Sequence, residues 1–251
     1  MGRLVAAVVA MLMAVTPATA TSPAVRGTAF QLVEQHPPPS VCQPGSRVRG
    51  VDVGTRKIVA FSFDDGPWPS YTERIMASFE SRGLRATFFM VGINIQSYRS
   101  IAQAVHDRGH EIGNHSMTHT YNTSTIAREI PIANELISQI TGFSPNLFRA
   151  PGLAESPAIT AAMTANGVCN VFSTIVLGDH LDPRLSSSTL CSRFANTLHP
   201  GEIVLLHDGG SHLNTVNAVP CMLDIAIARG YEIVPVSELM LSGIPYSGPR
   251  P

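Results

Sequence analysis

Two short motifs in the sequence combine residue types that could bind a metal ion. The first places Asp64 and Asp65 side by side before a Gly-Pro turn, and adjacent carboxylates are costly unless a cation joins them. The second separates His115 and His119 by three residues, a spacing that lets two imidazoles converge on one ion. Each motif alone has an ordinary explanation, a surface turn or an incidental histidine pair. Together they predict a site of two histidines and one carboxylate.

Three further motifs carry ionisable groups: Arg-Ala-Pro-Gly at 149–152, Asp-His-Leu-Asp at 179–182 and Leu-Leu-His-Asp at 205–208. A surface arginine, a capped turn and a buried core histidine would explain them one at a time. Only 14% of the residues are charged, however, and all five motifs follow predicted strands. This concentration of scarce charge favours a single active site.

The apolar segments before these motifs alternate with helical patterns. Seven segments predict strands, each followed by a helix or a helical turn, at 57–63, 86–91, 110–113, 146–149, 168–173, 203–207 and 231–235. Such alternation predicts an α/β fold with a parallel sheet and crossover helices, whose functional groups gather at the carboxyl ends of the strands. Periodicity alone leaves a closed barrel and an open doubly wound sheet both possible.

The composition argues against several functional classes. A chain of 251 residues with 44% hydrophobic residues suits one large domain. Its formal net charge of −1 leaves no basic footprint for nucleic acid or acidic lipid. Lys57 is the only lysine and no glycine-rich loop flanks it, which disfavours phosphate-loop and Schiff-base chemistry.

The N-terminus has the pattern of a targeting segment. Residues 1–20 combine a charged start, a short apolar run and a small-residue Ala-Thr-Ala end, which predicts a secretory signal peptide cleaved after Ala20. The apolar run is shorter than a helix that crosses a membrane usually is, which argues against a membrane anchor. Residues 21–56 are proline-rich and predict an exposed leader, and 57–251 the folded domain. We therefore expect a secreted protein, extracellular or in the cell wall, with no membrane contact after cleavage.

Export changes the interpretation of the four cysteines. Cys42, Cys169, Cys191 and Cys221 lack the close spacing of a zinc ribbon, and an even number in an oxidising compartment favours two disulfides. Of three possible connectivities we favour Cys169–Cys191 with Cys42–Cys221. A buried free thiol at Cys169 is the alternative.

The order of these motifs resembles the polysaccharide deacetylases, the NodB-homology group also called carbohydrate esterase family 4. The resemblance covers about residues 57–240, and its first two motifs are highly specific. It implies a single-domain, distorted (β/α) barrel with about seven parallel strands. It also implies hydrolysis of N-acetyl groups on polymers that contain N-acetylglucosamine, such as chitin oligosaccharides or peptidoglycan.

The resemblance assigns a ligand set for a divalent ion. Asp65, His115 and His119 would bind the metal, with Zn²⁺ expected and Co²⁺ or Ni²⁺ as alternatives. A fourth position would stay open for water and substrate.

The resemblance also assigns acid–base roles. Asp64 would be the general base, and Arg149 would hold it by charge-assisted hydrogen bonds. His207 would be the general acid that protonates the leaving amine, and Asp182 would raise its pKa.

Two positions depart from the family pattern. Gly152 and Pro183 stand where the family usually has aromatic residues that line the substrate pocket. We therefore predict a pocket that is wider or differently walled, with Leu205 and the backbone N–H of Gly152 still available to substrate. Trp68, the only tryptophan, could stack on a sugar or pack at the barrel rim.

Competing functions follow from the same residues. An acetylxylan ester could replace the amide as substrate, and a two-histidine, one-carboxylate site also suits a non-haem Fe(II) oxygenase. A non-catalytic wall-binding module is the alternative from a different class, although Asp64, Arg149 and His207 have no purpose in pure binding. We expect a monomer whose partner is a carbohydrate polymer.

Overall fold

The structure, a computed structural model, describes residues 42–182 and 184–251. The predicted signal peptide, the leader up to residue 41 and the departure at Pro183 lie outside the described residues.

Short strands and longer helices alternate along the described chain. The strands are β1 Arg47–Val48, β2 Gly50–Asp52, β3 Ile58–Asp64, β4 Thr87–Met90, β5 Glu111–Asn114, β6 Leu147–Phe148, β7 Cys169–Val171, β8 Ile175–Val176, β9 Glu202–His207, β10 Glu232–Val234 and β11 Ile244–Tyr246. The helices are α1 Tyr71–Glu80, α2 Gly92–Ser97, α3 Arg99–Asp107, α4 Thr123–Thr141, α5 Pro157–Ala165, α6 Ser187–Thr197, α7 Leu213–Ala228 and α8 Val236–Leu241. None of these helices has the length and apolar composition that crossing a membrane requires.

The strands form one nearly closed, barrel-like sheet. Parallel pairs run in the order β1-β7-β6-β5-β4-β3-β9, with β8 beside β9 and β10 beside β3, while β2 and β11 add antiparallel pairs. All seven predicted strands are present, and the predicted single-domain, distorted (β/α) barrel is confirmed.

Strand β3 shows how the sequence places a carboxylate inside the barrel. All seven of its residues are buried, as expected for a parallel strand covered on both faces. Val59, Phe61 and Phe63 point to one face and belong to the core cluster shared with the helices. Because side chains alternate along a strand, Ser62 and Asp64 point to the opposite face, into the barrel. The hydrophobic pattern therefore delivers a carboxylate to the interior.

The strand register brings the functional motifs together. Asp64, the last residue of β3, pairs with His207 of β9 on one side and with Phe89 of β4 on the other. Asn114, the last residue of β5, pairs with Phe148 of β6. The motifs that follow β3, β5, β6 and β9 consequently meet at one end of the barrel.

Helix termini follow from local sequence. The Glu73 carboxylate accepts a hydrogen bond from the N–H of Ser70 at the start of α1. Asn122 caps α4 through the N–H of Thr125, and Gly142 ends that helix in the left-handed region at φ 81°.

Part of the predicted leader belongs to the sheet. Val48, Val51 and Val53 are buried, β1 pairs with β7, and β2 pairs with β9 and β11. The boundary predicted at residue 57 is therefore too late, because β1 and β2 are two and three residues long and give no readable period.

The favoured disulfide pairing is wrong. The structure joins Cys42 to Cys169 and Cys191 to Cys221, with Cα–Cα distances of 6.1 and 6.2 Å. The first disulfide ties the segment before β1 to β7, its neighbour in the sheet. The second joins α6 to α7, which lie side by side, and only tertiary packing determines those neighbours.

Candidate active site

Asp65, His115 and His119 converge at the mouth of the barrel, and we call them the metal triad. The Oδ1 atom of Asp65 lies 3.1 Å from Nε2 of His119 and 3.4 Å from Nε2 of His115. Possible ligand atoms of all three residues lie within 4.8 Å of one another. Two nitrogen or oxygen ligands of one tetrahedral zinc ion, each about 2.0–2.1 Å from it, lie about 3.3 Å apart. The spacing of the metal triad fits such an ion.

The hydrogen bonding of the metal triad also fits a cation. Asp65 Oδ1 is buried, and no donor among the described residues is aligned with it as a hydrogen bond requires. Nδ1 of His115 donates to the carbonyl oxygen of Arg149 at 2.7 Å, because a carbonyl can only accept. This leaves the Nε2 lone pair facing Asp65.

In the metal triad, Asp65 and His119 shift each other's pKa towards the charged form. Burial alone would raise the pKa of Asp65, but the two nearby imidazoles hold it well below its usual range. Contact with the Asp65 carboxylate raises the pKa of His119. The carboxylate is therefore ionised and the site attracts positive charge.

Asp64 and Arg149 form a buried ion pair beside the metal triad. Nη1 of Arg149 donates to Asp64 Oδ1 at 2.7 Å and to Ser62 Oγ at 2.9 Å, and Nε donates to the Val171 carbonyl at 2.8 Å. The guanidinium also lies 4.1 Å from the ring centroid of Phe89. Arg149 is fully buried, so these contacts fix its position and that of the Asp64 carboxylate.

His207, at the end of β9, contacts Asp179 rather than Asp182. Nδ1 of His207 lies 3.0 Å from Asp179 Oδ1, and the His207 N–H donates to Asp179 Oδ2 at 2.9 Å. Burial lowers the pKa of His207, but hydrogen bonding and charge from Asp179 outweigh it and raise this pKa to about 9. His207 is therefore a cation at neutral pH.

The prediction that Asp182 supports His207 is thus corrected. Asp182 pairs with Arg184, whose Nε lies 3.0 Å from its Oδ1, and this contact lowers the pKa of Asp182. The two aspartates stand three positions apart on one loop after β8, and only the folded loop decides which one turns inward.

A pocket opens between these groups. It is lined by Asp64, Asp65, His115, His119, Tyr121, Ala150, Gly152, Leu153, Val176, His180, Leu205 and His207. Gly152 and Leu205 therefore line the same pocket as the metal triad. Trp68 is outside this lining and packs edge-to-face on Tyr98, with ring centroids 5.7 Å apart.

Tyr121 takes up the space beside Gly152. A Cβ atom on Gly152 would lie 3.0 Å from the Tyr121 ring, and Gly152 has φ 61°. The tyrosine is 72% exposed and contacts the His119 ring at a centroid distance of 5.3 Å. The wall of the pocket beside Gly152 is therefore formed by an aromatic side chain that follows the histidine motif.

Comparison with known proteins decides the family. A sequence family described as polysaccharide deacetylase matches residues 52–171. A peptidoglycan-N-acetylglucosamine deacetylase of Bacillus cereus is 33% identical over 194 residues, which cover 73% of this chain and 88% of that protein. The chain belongs to the polysaccharide deacetylase family.

Two further comparisons agree with this assignment. A chitooligosaccharide deacetylase of Bradyrhizobium sp. is 28% identical over 208 residues, covering 75% of this chain and 93% of that protein. A mutant, with restored enzymatic activity, of a carbohydrate esterase family 4 pseudoenzyme from Bacillus anthracis superposes with a TM-score of 0.71. It is 25% identical, and the match covers 79% of this chain and 72% of the other. Polysaccharide deacetylases are carbohydrate-acting hydrolases, and the family is metal-dependent.

Two residues to which sequence analysis assigns no role support the site. Glu129 of α4 accepts hydrogen bonds from the N–H groups of Met117 and Thr118 at 3.0 and 2.9 Å. It thereby holds the loop between the two histidines. Glu129 lies ten residues after His119, outside the histidine motif. The signal that identifies it is the burial of a charged side chain inside a helix, which is visible only in the folded protein.

Asp208, the last residue of the motif at 205–208, is the second of these residues. It is fully buried, its carboxylate binds the Thr72 hydroxyl, and its N–H donates to the Asp64 carbonyl at 3.0 Å. Burial raises the pKa of Asp208 to about 7. A Cβ on Gly66 would lie 2.3 Å from Asp208, so Asp208 packs directly against the loop that carries Asp65.

Proposed function

We propose that this protein is an exported, metal-dependent N-deacetylase acting on polymers that contain N-acetylglucosamine, with peptidoglycan as the preferred class. One observation carries the proposal: the metal triad, the Asp64–Arg149 pair and the His207–Asp179 pair face one pocket. Two of the three proteins compared above are named as deacetylases of peptidoglycan or of chitooligosaccharides. These names support the proposed substrate class.

Asp65, His115 and His119 would hold a divalent ion, which we propose to be Zn²⁺. When bound, such an ion supplies Lewis-acid chemistry, lowering the pKa of a water molecule and polarising a carbonyl oxygen. The chain's own part is to present three ligand atoms at suitable spacing and to leave one side open to the pocket. His115 is held for this by its hydrogen bond to the backbone.

Asp64 is the proposed general base. It lies next to Asp65 and its Oδ2 is 3.8 Å from Nε2 of His115, so it borders the position where water would attack. The 2.7 Å contact from Arg149 orients the carboxylate by a charge-assisted hydrogen bond. Asp64 takes a proton from the attacking water as its oxygen bonds to the acetyl carbon.

His207 is the proposed general acid, with Asp179 in the role assigned from sequence to Asp182. The Nδ1–H group is held by Asp179, so Nε2–H remains to donate a proton. That proton goes to the sugar nitrogen as the carbon–nitrogen bond breaks, and the products are acetate and the free amine. Leu205 and Tyr121 line the pocket, where they would contact the acetyl group and the sugar ring.

An acetate-release screen tests the proposal. Purified mature protein is incubated with peptidoglycan, chitin oligomers and acetylated xylan, with and without a chelator and with zinc restored. We expect release from peptidoglycan and chitin oligomers that the chelator abolishes and zinc restores. Release only from xylan would make the protein an ester hydrolase of the same family. Tight binding to a polymer without release from any substrate would favour the wall-binding alternative.

Mass spectrometry of the exported protein tests the localisation. Cleavage after Ala20 would give a mature chain that begins at Thr21. Recovery of the protein only inside the cell, with Met1 retained, would contradict export.

A further inference from the structure

A second cluster of one carboxylate and two imidazoles lines the same pocket. Asp179, His180 and His207 each offer a ligand atom, and these atoms lie within 4.8 Å of one another. Asp179 Oδ1 is 3.0 Å from Nδ1 of His207 and 3.8 Å from Nδ1 of His180. These separations bracket the spacing of about 3.3 Å expected between two ligands of one tetrahedral zinc ion. We call these residues the acid triad.

We propose that the acid triad is a second, weaker binding site for a divalent transition-metal ion, and that its occupation inhibits the enzyme. Two imidazole nitrogens and one carboxylate oxygen suit zinc, and a fourth ligand could be water from the pocket.

The acid triad is preorganised for a cation. The Asp179 side chain is 1% exposed, and its Oδ2 accepts hydrogen bonds from the His207 N–H and the Thr215 hydroxyl, both at 2.9 Å. Oδ1 is left for His207 and His180. The loop that carries Asp179 is also tied to α6, because Arg193 donates to the Leu177 carbonyl at 2.7 Å.

The acid triad is open to solvent where an ion would enter. The His180 side chain is 39% exposed and the His207 side chain is 12% exposed, and both line the pocket. His180 also lies with its ring centroid 5.2 Å from that of His207. A small rotation of the exposed ring would bring its nitrogen towards an ion held by the other two residues.

The order of filling follows from the hydrogen bonds that each site must give up. At the metal triad, no described donor is aligned with Asp65 Oδ1, so an ion displaces no hydrogen bond there. At the acid triad, an ion must replace the hydrogen bond between His207 Nδ1 and Asp179 Oδ1. The acid triad should therefore fill only when metal is in excess of one equivalent.

Inhibition follows from the chemistry of the shared nitrogen, and this part rests on the proposed function. The lone pair of His207 Nδ1 cannot hold a proton and a metal ion together. With the ion bound, His207 cannot carry the second ring proton that protonation of the leaving amine requires. Because general acid catalysis contributes about 10²-fold or more, the doubly loaded enzyme should be slower by about that factor.

Zinc stoichiometry tests the binding site without reference to activity. Equilibrium dialysis against excess zinc, with metal measured by mass spectrometry, should give two ions for the wild type and one for His180→Ala. His119→Ala should retain one ion, at the acid triad. The variant that combines His119→Ala with His180→Ala should retain none. His180→Gln, which preserves side-chain size, guards against a packing effect. One ion in the wild type, or two in His180→Ala, would overturn the site.

Activity measured against added zinc tests the inhibition. Wild-type turnover should rise up to one equivalent of zinc and then fall by about 10²-fold, whereas the turnover that His180→Ala reaches at one equivalent, whatever its level, should not fall at higher zinc. His212→Ala is the matched control, because its ring also stacks on His207, at 5.1 Å, but lies outside the acid triad. It should be inhibited like the wild type. Equal inhibition of His180→Ala would overturn the inhibitory role. Absence of turnover at every zinc concentration would instead reject the proposed function, and dialysis would still decide the site.

Discussion

The metal triad and the acid triad each place one aspartate and two histidines at one pocket, yet the groups around them favour different cations. In the metal triad no described donor is aligned with Asp65 Oδ1, and His115 is turned by a backbone carbonyl so that its Nε2 lone pair faces inward. In the acid triad Asp179 accepts hydrogen bonds from a backbone N–H, a hydroxyl and an imidazole. The number of donors around the carboxylate, rather than the residue types, therefore separates the site that binds a metal ion first from the site that holds a proton until metal is in excess.

Removing a ligand from the metal triad should have the largest effect. His119→Ala leaves two ligands, so we expect turnover below detection and loss of the tightly bound ion, measured by acetate release and by metal analysis. Tyr71→Phe, at the first residue of α1 and outside the pocket lining, is the control. Full activity of His119→Ala in the presence of a chelator would end the metal hypothesis.

Asp64 lies between the two triads and should come next. Asp64→Asn keeps the size of the side chain but removes the base, and we expect kcat to fall by about 10²–10⁴-fold with metal content unchanged. Asp182→Asn is the matched control, because Asp182 contacts only its neighbour Arg184 among the ion pairs of the described residues. A variant that retains wild-type kcat would remove Asp64 from the mechanism.

Asp179→Asn tests whether the proton-donating role of His207 can be changed without changing metal binding at the metal triad. The carboxylate raises the pKa of His207 to about 9, so the acid is protonated below that pH and activity falls as the pH rises through it. Without the carboxylate this pKa drops, and the basic limb of the kcat profile should move to lower pH with an unchanged metal content. An unmoved basic limb would show that another group titrates there.

The same substitution makes a prediction about stability. The pKa of His207 in the folded protein lies above its unfolded value of about 6.5, so protonation stabilises the fold fully below that pH. This contribution is lost as the pH rises towards 9. In the apo-protein, Asp179→Asn should therefore lower the melting temperature more at pH 6 than at pH 10, in thermal unfolding scans. An equal loss at both values would contradict the linkage.

Changes to the pocket wall should have the smallest effect. Tyr121 borders the metal triad, and Leu181 is an exposed residue of the loop that carries Asp179 and His180. Loss of one aromatic contact is worth about 1 kcal/mol, so Tyr121→Ala should raise KM about fivefold, while Tyr121→Phe and Leu181→Ala change little. An unchanged KM in Tyr121→Ala would exclude its ring from substrate contact.

The motifs of the site were predictable from sequence because they follow strands with strong apolar patterns. In a parallel barrel those strand ends must meet, so the convergence of Asp65, His115 and His119 follows once the strands are known. The choice between Asp179 and Asp182 was not predictable, because it depends on how one loop folds against Thr215 of α7. The disulfide partners and the two-residue strand β1 likewise depend on packing between distant segments.

The covalent link between α6 and α7 has a consequence for where the protein can be produced. Arg193 of α6 and Thr215 of α7 hold the loop of the acid triad, whereas the loop of the metal triad is held by Glu129 of α4, which no disulfide reaches among the described residues. Synthesis in a reducing cytoplasm should therefore weaken the packing around Asp179 and His207, which supply the proton, and leave the metal triad unaffected. Protein produced in this way would bind zinc but hydrolyse its substrate slowly.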